Sequence, residues 1–181
     1  AGGTLLKYLG ENARVKIIYF FKSVESREEI EKVKSFGFQI KYFPLKNFDN
    51  FSVLRVMGLI RQENPQKVLT INSGNHIEHV ISSEIVSRAF IIAGNEEIKS
   101  NSKPVQISKL FFFETPDGTF DNYGEKQLVY VKIGKQWKKR KIILNLFTKL
   151  KKITPNYPQI TDCLLYLRGL QCSEKVAECF R

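Results

Sequence analysis

Long apolar runs are missing from this chain. None approaches the roughly 18 consecutive residues that a bilayer span requires, so no membrane partner is expected. The start, Ala1-Gly2-Gly3-Thr4, has no basic segment followed by an apolar stretch and does not read as a signal peptide. Cysteine is scarce: Cys163, Cys172 and Cys179 all fall in the last 19 residues. An odd number confined to one corner makes no disulfide framework, and the spacing holds no Cys-x-x-Cys pair for zinc. They read as small apolar helix residues in a reducing compartment, which points to the cytoplasm.

Signatures of catalysis are as sparse. There is no Gly-x-Ser-x-Gly elbow and no cysteine paired with a predictable base. The Gly-Lys-Ser/Thr grip of a triphosphate site and the dinucleotide fingerprint are both absent, which argues against an ATP or nicotinamide enzyme. Histidine occurs only at His76 and His79. With help from Glu78 or Glu84 the pair could hold a metal, but a catalytic zinc site usually takes three protein ligands. No catalytic residue, metal ligand or cofactor is therefore assigned. Repeats and low-complexity tracts are lacking too.

What is present is globular. Hydrophobic residues make up 43% and aromatics 12% of 181 residues, enough for one domain, or one domain with a small appendage. The net charge of +11 is concentrated: ten Lys or Arg and no acid lie between Lys126 and Lys152, leaving 19 basic against 18 acidic residues elsewhere. Such a stretch is either the footprint of a polyanion, usually nucleic acid, or a solvated lysine-rich face.

Along the chain, Thr4 to Leu9 suggests helical turns and Arg14 to Phe21 a buried strand. Ser26-x-x-Glu29 has the form of a capping box opening a helix that Gly37 stops. Phe38 to Leu45 reads as a strand, Asn47 to Gln62 as a helix, Val68 to Ile71 as a strand, and Ile77 onward as a helix. Strands separated by helices imply right-handed crossovers and a Rossmann-like, doubly wound, mainly parallel sheet over residues 1–133. Val105 to Phe113 is a further strand, Thr115-Pro116-Asp117-Gly118 a turn, and Gln127 to Ile133 a strand forming an antiparallel hairpin with it.

Residues 134–181 read as a small, basic, helical domain. Lys139 to Lys152 is amphipathic, Gln159 to Leu167 is a second helix, Arg168 to Gln171 a turn and Cys172 to Phe180 a third helix. That is the outline of a helix-turn-helix, the alternative being a three-helix cap on the sheet. In the first reading Lys138, Lys139, Arg140 and Lys141 anchor phosphates of double-stranded DNA, while Ser173, Lys175 and Glu178 reach the groove.

Two loops carry the ligand-binding expectation. Asn72-Ser73-Gly74-Asn75 joins a strand to a helix at the carboxyl edge of the sheet, where free backbone N–H groups bind phosphates; the alternative is a plain connection. Gly2-Gly3-Thr4 is similar if it follows a strand. His76, at the start of the next helix, is placed to donate to a phosphate or stack on a base.

The motifs Gly2-Gly3-Thr4-Leu5-Leu6 and Ile71-Asn72-Ser73-Gly74-Asn75-His76, in this element order, resemble the CRISPR-associated Rossmann-fold (CARF) proteins. The likeness is strongest to archaeal transcriptional regulators with a C-terminal winged helix-turn-helix. That resemblance implies a homodimer binding a cyclic oligoadenylate through Gly2, Gly3, Thr4, Asn72, Ser73, Gly74, Asn75 and His76, and DNA through the C-terminal helices. It also implies an alternative, cleavage of the cyclic ligand by a metal-independent ring nuclease; a rival outside the resemblance is a non-catalytic, partner-binding adaptor.

Overall fold

The computed structural model describes residues 1–21, 26–45, 48–107, 109–116, 119–120 and 127–181, the side chains of 149–151 excepted. Asn47, Asp117, Gly118 and Lys126, which figure in the expectations above, lie outside the described residues. The chain is an α/β protein with parallel and antiparallel strand pairs, and its contacts divide it into two compact units.

The first unit begins with α1 (Gly2–Gly10), β1 (Lys16–Tyr19), α2 (Arg27–Lys34) and β2 (Gln39–Tyr42). β1 and β2 are parallel, with Ile17 opposite Ile40, as a strand–helix–strand crossover requires. The predicted capping box closes α2: Ser26 Oγ accepts from Glu29 N at 3.2 Å and Glu29 Oε2 accepts from Ser26 N at 2.7 Å. Leu6, Val15, Val33 and Phe38 are buried together, and Ile143, Leu146 and Phe147 pack against them from later in the chain.

The same unit resumes with β5 (Val129–Lys132), α5 (Trp137–Leu146), α6 (Thr148–Ile153), α7 (Tyr157–Gln171) and β6 (Ala177–Phe180). Here the sequence reading needs correction. The helix expected over Lys139 to Lys152 is two helices broken at Phe147. Thr148 starts the second by donating its N–H (2.9 Å) and hydroxyl (2.6 Å) to Glu29 Oε1. The turn expected at Arg168 to Gln171 is the last turn of α7.

No helix-turn-helix forms at the C-terminal end. The expected recognition helix, Cys172 to Phe180, is a turn followed by the buried strand β6. β6 lies antiparallel to β5, with Val131 opposite Glu178, so β5 finds its partner there. Ser173 takes the left-handed conformation (φ 57°), and a Cβ on Gly169 would sit 2.6 Å from Glu174 O. The reversal therefore relies on glycine to let the returning backbone touch the helix. Ile133, Leu165 and Val176 form the buried cluster that this reversal closes.

The second unit holds α3 (Asn50–Glu63), β3 (Lys67–Ile71), α4 (Ile77–Ala93) and β4 (Lys109–Phe113), with Arg181. Asp49 caps α3, its Oδ1 accepting from Ser52 N at 2.7 Å, and Asn64 ends it in the left-handed conformation. β3 and β4 are parallel, with Leu69 opposite Phe111. Helices α3 and α4 pack side by side through Val53, Val56, Met57 and Ile60 of the one and Ile85, Val86 and Ala89 of the other, all buried. Arg61, 4% exposed, donates to the carbonyls of Ala93 (2.9 Å), Asn95 (2.6 Å) and Ile98 (2.7 Å), capping the end of α4. Among the described residues no helix is long and apolar enough to cross a membrane.

Candidate functional site

The carboxyl edge of β3 is built as the loop sequence suggests. Asn72 extends the ladder by one residue, its N–H donating to Phe113 O at 2.9 Å, and its side chain is buried. Ser73, Gly74 and Asn75 then turn the chain into α4, with Ser73 and Asn75 exposed. His76 is the N-cap residue, in extended conformation (φ −84°, ψ 126°), and no side chain caps the helix there. Its carbonyl accepts the first helical bonds, from His79 N (3.0 Å) and Val80 N (3.1 Å).

Residues three apart on a helix share a face. Accordingly the His76 and His79 rings lie 5.1 Å apart between centroids, tilted by 39°. His76 is exposed and His79 half-buried. Ile77 (66% exposed) and Val80 (40%) stand beside them on the first turns of α4. The helix N-terminus adds a partial positive charge to the same spot. The chemistry this arrangement offers is proton transfer and recognition of oxygen or anionic groups by two imidazoles. Among the described residues no three His, Cys, Asp or Glu side chains gather to hold a metal ion, so no step is derived through one.

The second predicted loop is engaged differently. Gly3 N and Thr4 N, at the start of α1, donate to Glu178 Oε1 (2.9 Å) and Oε2 (2.8 Å). Arg140 Nε lies 3.3 Å from Glu178 Oε1. Burial pushes this carboxyl's pKa up, whereas Arg140 and the N–H groups of Gly3 and Thr4 pull it down. The N–H groups that were to meet a ligand phosphate thus already meet an internal carboxylate. Gly3 is fixed by packing as well, since a Cβ there would lie 2.6 Å from Ile133 Cδ1. Sequence reading assigned Glu178 to DNA; a lone acid in an ambiguous segment carried no signal of this role.

The residues expected on DNA are dispersed. Lys138 and Lys139 are exposed on α5, whereas Arg140 turns inward to Glu178 and Asp162. Lys141 Nζ pairs with Asp162 Oδ2 at 2.7 Å and lies 4.1 Å from the centroid of the Trp137 ring. Ser173 and Lys175 sit on the turn before β6, not on a helix.

In sequence the chain matches no protein-family model and no curated protein. In structure it is similar to the conserved protein TT1542 from Thermus thermophilus, with TM-score 0.86 and 16% identity over 99% of this chain and 86% of that one. It is similar also to GalB, the 4-carboxy-2-hydroxymuconate hydratase from Pseudomonas putida KT2440, with TM-score 0.81 and 16% identity over 100% of this chain and 88% of that one. The N,N'-diacetylchitobiose deacetylase from Pyrococcus horikoshii aligns with TM-score 0.76 and 12% identity over 99% of this chain and 76% of that one.

These likenesses show that the chain shares the α/β fold of those three proteins. They overturn the CARF resemblance and, with it, the reading as a cyclic-oligoadenylate-sensing, DNA-binding CRISPR regulator. The error has a physical origin. A small polar turn between a buried strand and a helix recurs in every open α/β sheet, so two such turns in order identify an architecture and not a ligand.

Proposed function

We propose that the carboxyl edge of β3 is a reaction site at which water is added to, or used to cleave, a small polar molecule. In this reading His76 and His79 are the proton-transfer pair. The observation that carries it is their convergence: the only histidines of the chain stand 5.1 Å apart, just past the carboxyl edge of β3 and beside a helix N-terminus. Each unit holds a parallel strand pair joined through a helix, the repeat of which a Rossmann-like, doubly wound fold is made, and this supports such an edge at β3. A hydratase and a deacetylase are among the proteins of similar fold, and both reactions consume water.

One imidazole accepts a proton from water as its oxygen bonds to an acyl carbon or an electron-poor alkene carbon. The other returns a proton to the departing nitrogen or to the neighbouring carbon. The half-buried His79 suits the first role and the exposed His76 the second. Helix α4 aims its N–H groups at developing negative charge, and Ile77 and Val80 offer apolar contact to the rest of the substrate.

The test is turnover of a panel of N-acetylated amino sugars, followed by acetate release, and of unsaturated hydroxy-dicarboxylates, followed by absorbance. His79→Asn is expected to lower kcat at least about 100-fold, the usual contribution of a general base. His76→Asn should lower it as well. No turnover of either class by the wild-type chain, or a His79→Asn rate within about twofold of it, against the far larger usual contribution of a base, would overturn the reading.

A further inference from the structure

Helix α7 shows two unlike faces. Thr161, Leu165, Arg168 and Gly169 are buried, and Asp162 is drawn inward to Arg140, Lys141 and the Trp137 indole N–H. Those contacts settle the inner face. The outer face carries Ile160 (44% exposed), Cys163 (exposed), Leu167 (44%) and Leu170 (78%). Their spacing of three, four and three residues makes one straight apolar seam, as at the a and d positions of a coiled coil. Asp162 and Arg168 are the only acid or base of the Asp, Glu, Lys and Arg type on α7, and neither interrupts it.

The seam leaves four neighbouring apolar side chains open to solvent, Leu170 most of all at 78%. We propose that this seam docks on the same seam of a second copy, forming an antiparallel two-fold helix pair. Two observations favour a second copy over another partner. First, the seam is symmetric about its midpoint. Residues 160 and 170 stand five positions either side of Leu165, and residues 163 and 167 stand two. Under a two-fold axis Ile160 therefore meets Leu170 of the second copy and Cys163 meets its Leu167, so the stripe is its own complement. Second, Asp162 and Arg168, the only Asp, Glu, Lys or Arg residues of α7, both lie off its apolar line, so two copies meet there with no like charges opposed.

The seam is three turns, about 15 Å, long. Alone it covers less than the about 800 Å² per partner of a standard interface, so the dimer is weak and concentration-dependent. Ile153, 69% exposed on α6, is available to extend it.

Sedimentation of the full chain from about 10 µM to about 1 mM tests the proposal, a range set by the small area. A shift from monomer to dimer is expected. The double variant Leu167→Lys/Leu170→Lys should remain monomeric throughout. Lysine suits the end of a helix, and both sites are exposed, so its circular dichroism and melting should match the wild type. Leu167→Cys sets a thiol against Cys163 of the second copy; on mild oxidation it should give a covalent dimer that Leu167→Cys/Cys163→Ser does not. A wild-type chain that stays monomeric at the top of the range would overturn the proposal, whether or not it binds vesicles or another protein's helix. So would a dimer that survives the lysine double variant.

Discussion

Arg61 shows how much one side chain can organise. It sits near the end of α3, almost fully buried, and its guanidinium is shared among the carbonyls of Ile92, Ala93, Asn95 and Ile98 and the Ser100 hydroxyl. A planar fork with five donors can serve acceptors in several directions at once; an ammonium cannot. The carbonyls at a helix end have no partners within the helix, and burying them unsatisfied is costly. Arg61→Met is therefore expected to destabilise the chain by about 3 kcal/mol, the cost of several lost charge-assisted bonds offset by retained packing. Arg61→Lys should recover only part of that. Urea unfolding of the three proteins checks the order. Equal midpoints for the methionine variant and the wild type would show that the clamp contributes little.

Among elements, β6 teaches the most. Ala177-Glu178-Cys179-Phe180 has no period that separates helix from strand over so few residues. Its preceding residues, Cys172 to Val176, read equally well as a helix start. The strand forms because β5 offers a ladder, because all four residues are buried, and because the Glu178 carboxylate caps α1 from across the unit. These partners lie far off along the chain, out of reach of any local pattern. Glu178→Gln keeps the shape but removes the charge that faces Arg140 and the α1 N-terminus. Breaking a buried pair from one side costs about 3 kcal/mol, so a drop of that order in denaturant stability at neutral pH is expected. A variant as stable as wild type would mean that the amide replaces the carboxylate without loss.

At the scale of the whole molecule Glu29 and Glu178 both contribute to the response to acid. Glu29 is held at about 2, first by the Thr148 hydroxyl and then by the N–H groups of Ser26 and Thr148, and Glu178 is held below its ordinary value as well. Both pKa values are depressed on folding. Each carboxylate therefore contributes stability in full above its ordinary value of 4.5 and loses it as pH falls below that, for Glu29 toward about 2. Stability should decline through that window, and the decline should be shallower in Glu29→Gln, which removes one of the titrating carboxylates. Denaturant unfolding at about pH 5 and about pH 3, on either side of the ordinary carboxylate range, measures it. An unchanged acid dependence in Glu29→Gln would show that the residue does not contribute.

Local signals were sufficient for much of this fold. The Ser26–Glu29 box, the Gly37 stop, the α3 and α4 periodicities and the β3 strand all stand where the sequence indicates, because caps and amphipathic spacing act within one or two turns. The approach of His76 to His79 is local in the same sense, being one helical turn. What the sequence left open was decided by distant contact. Whether residues 172–180 coil or extend depended on β5 and α1, and whether the Gly3 and Thr4 amides met a ligand or a carboxylate depended on where Glu178 arrived. The basic stretch, likewise, was divided between solvent and the acids Asp162, Glu174 and Glu178 only once the chain had folded. Short-range spacing is written in the chain itself, whereas the pairing of strands and buried charges exists only after remote segments have been brought together.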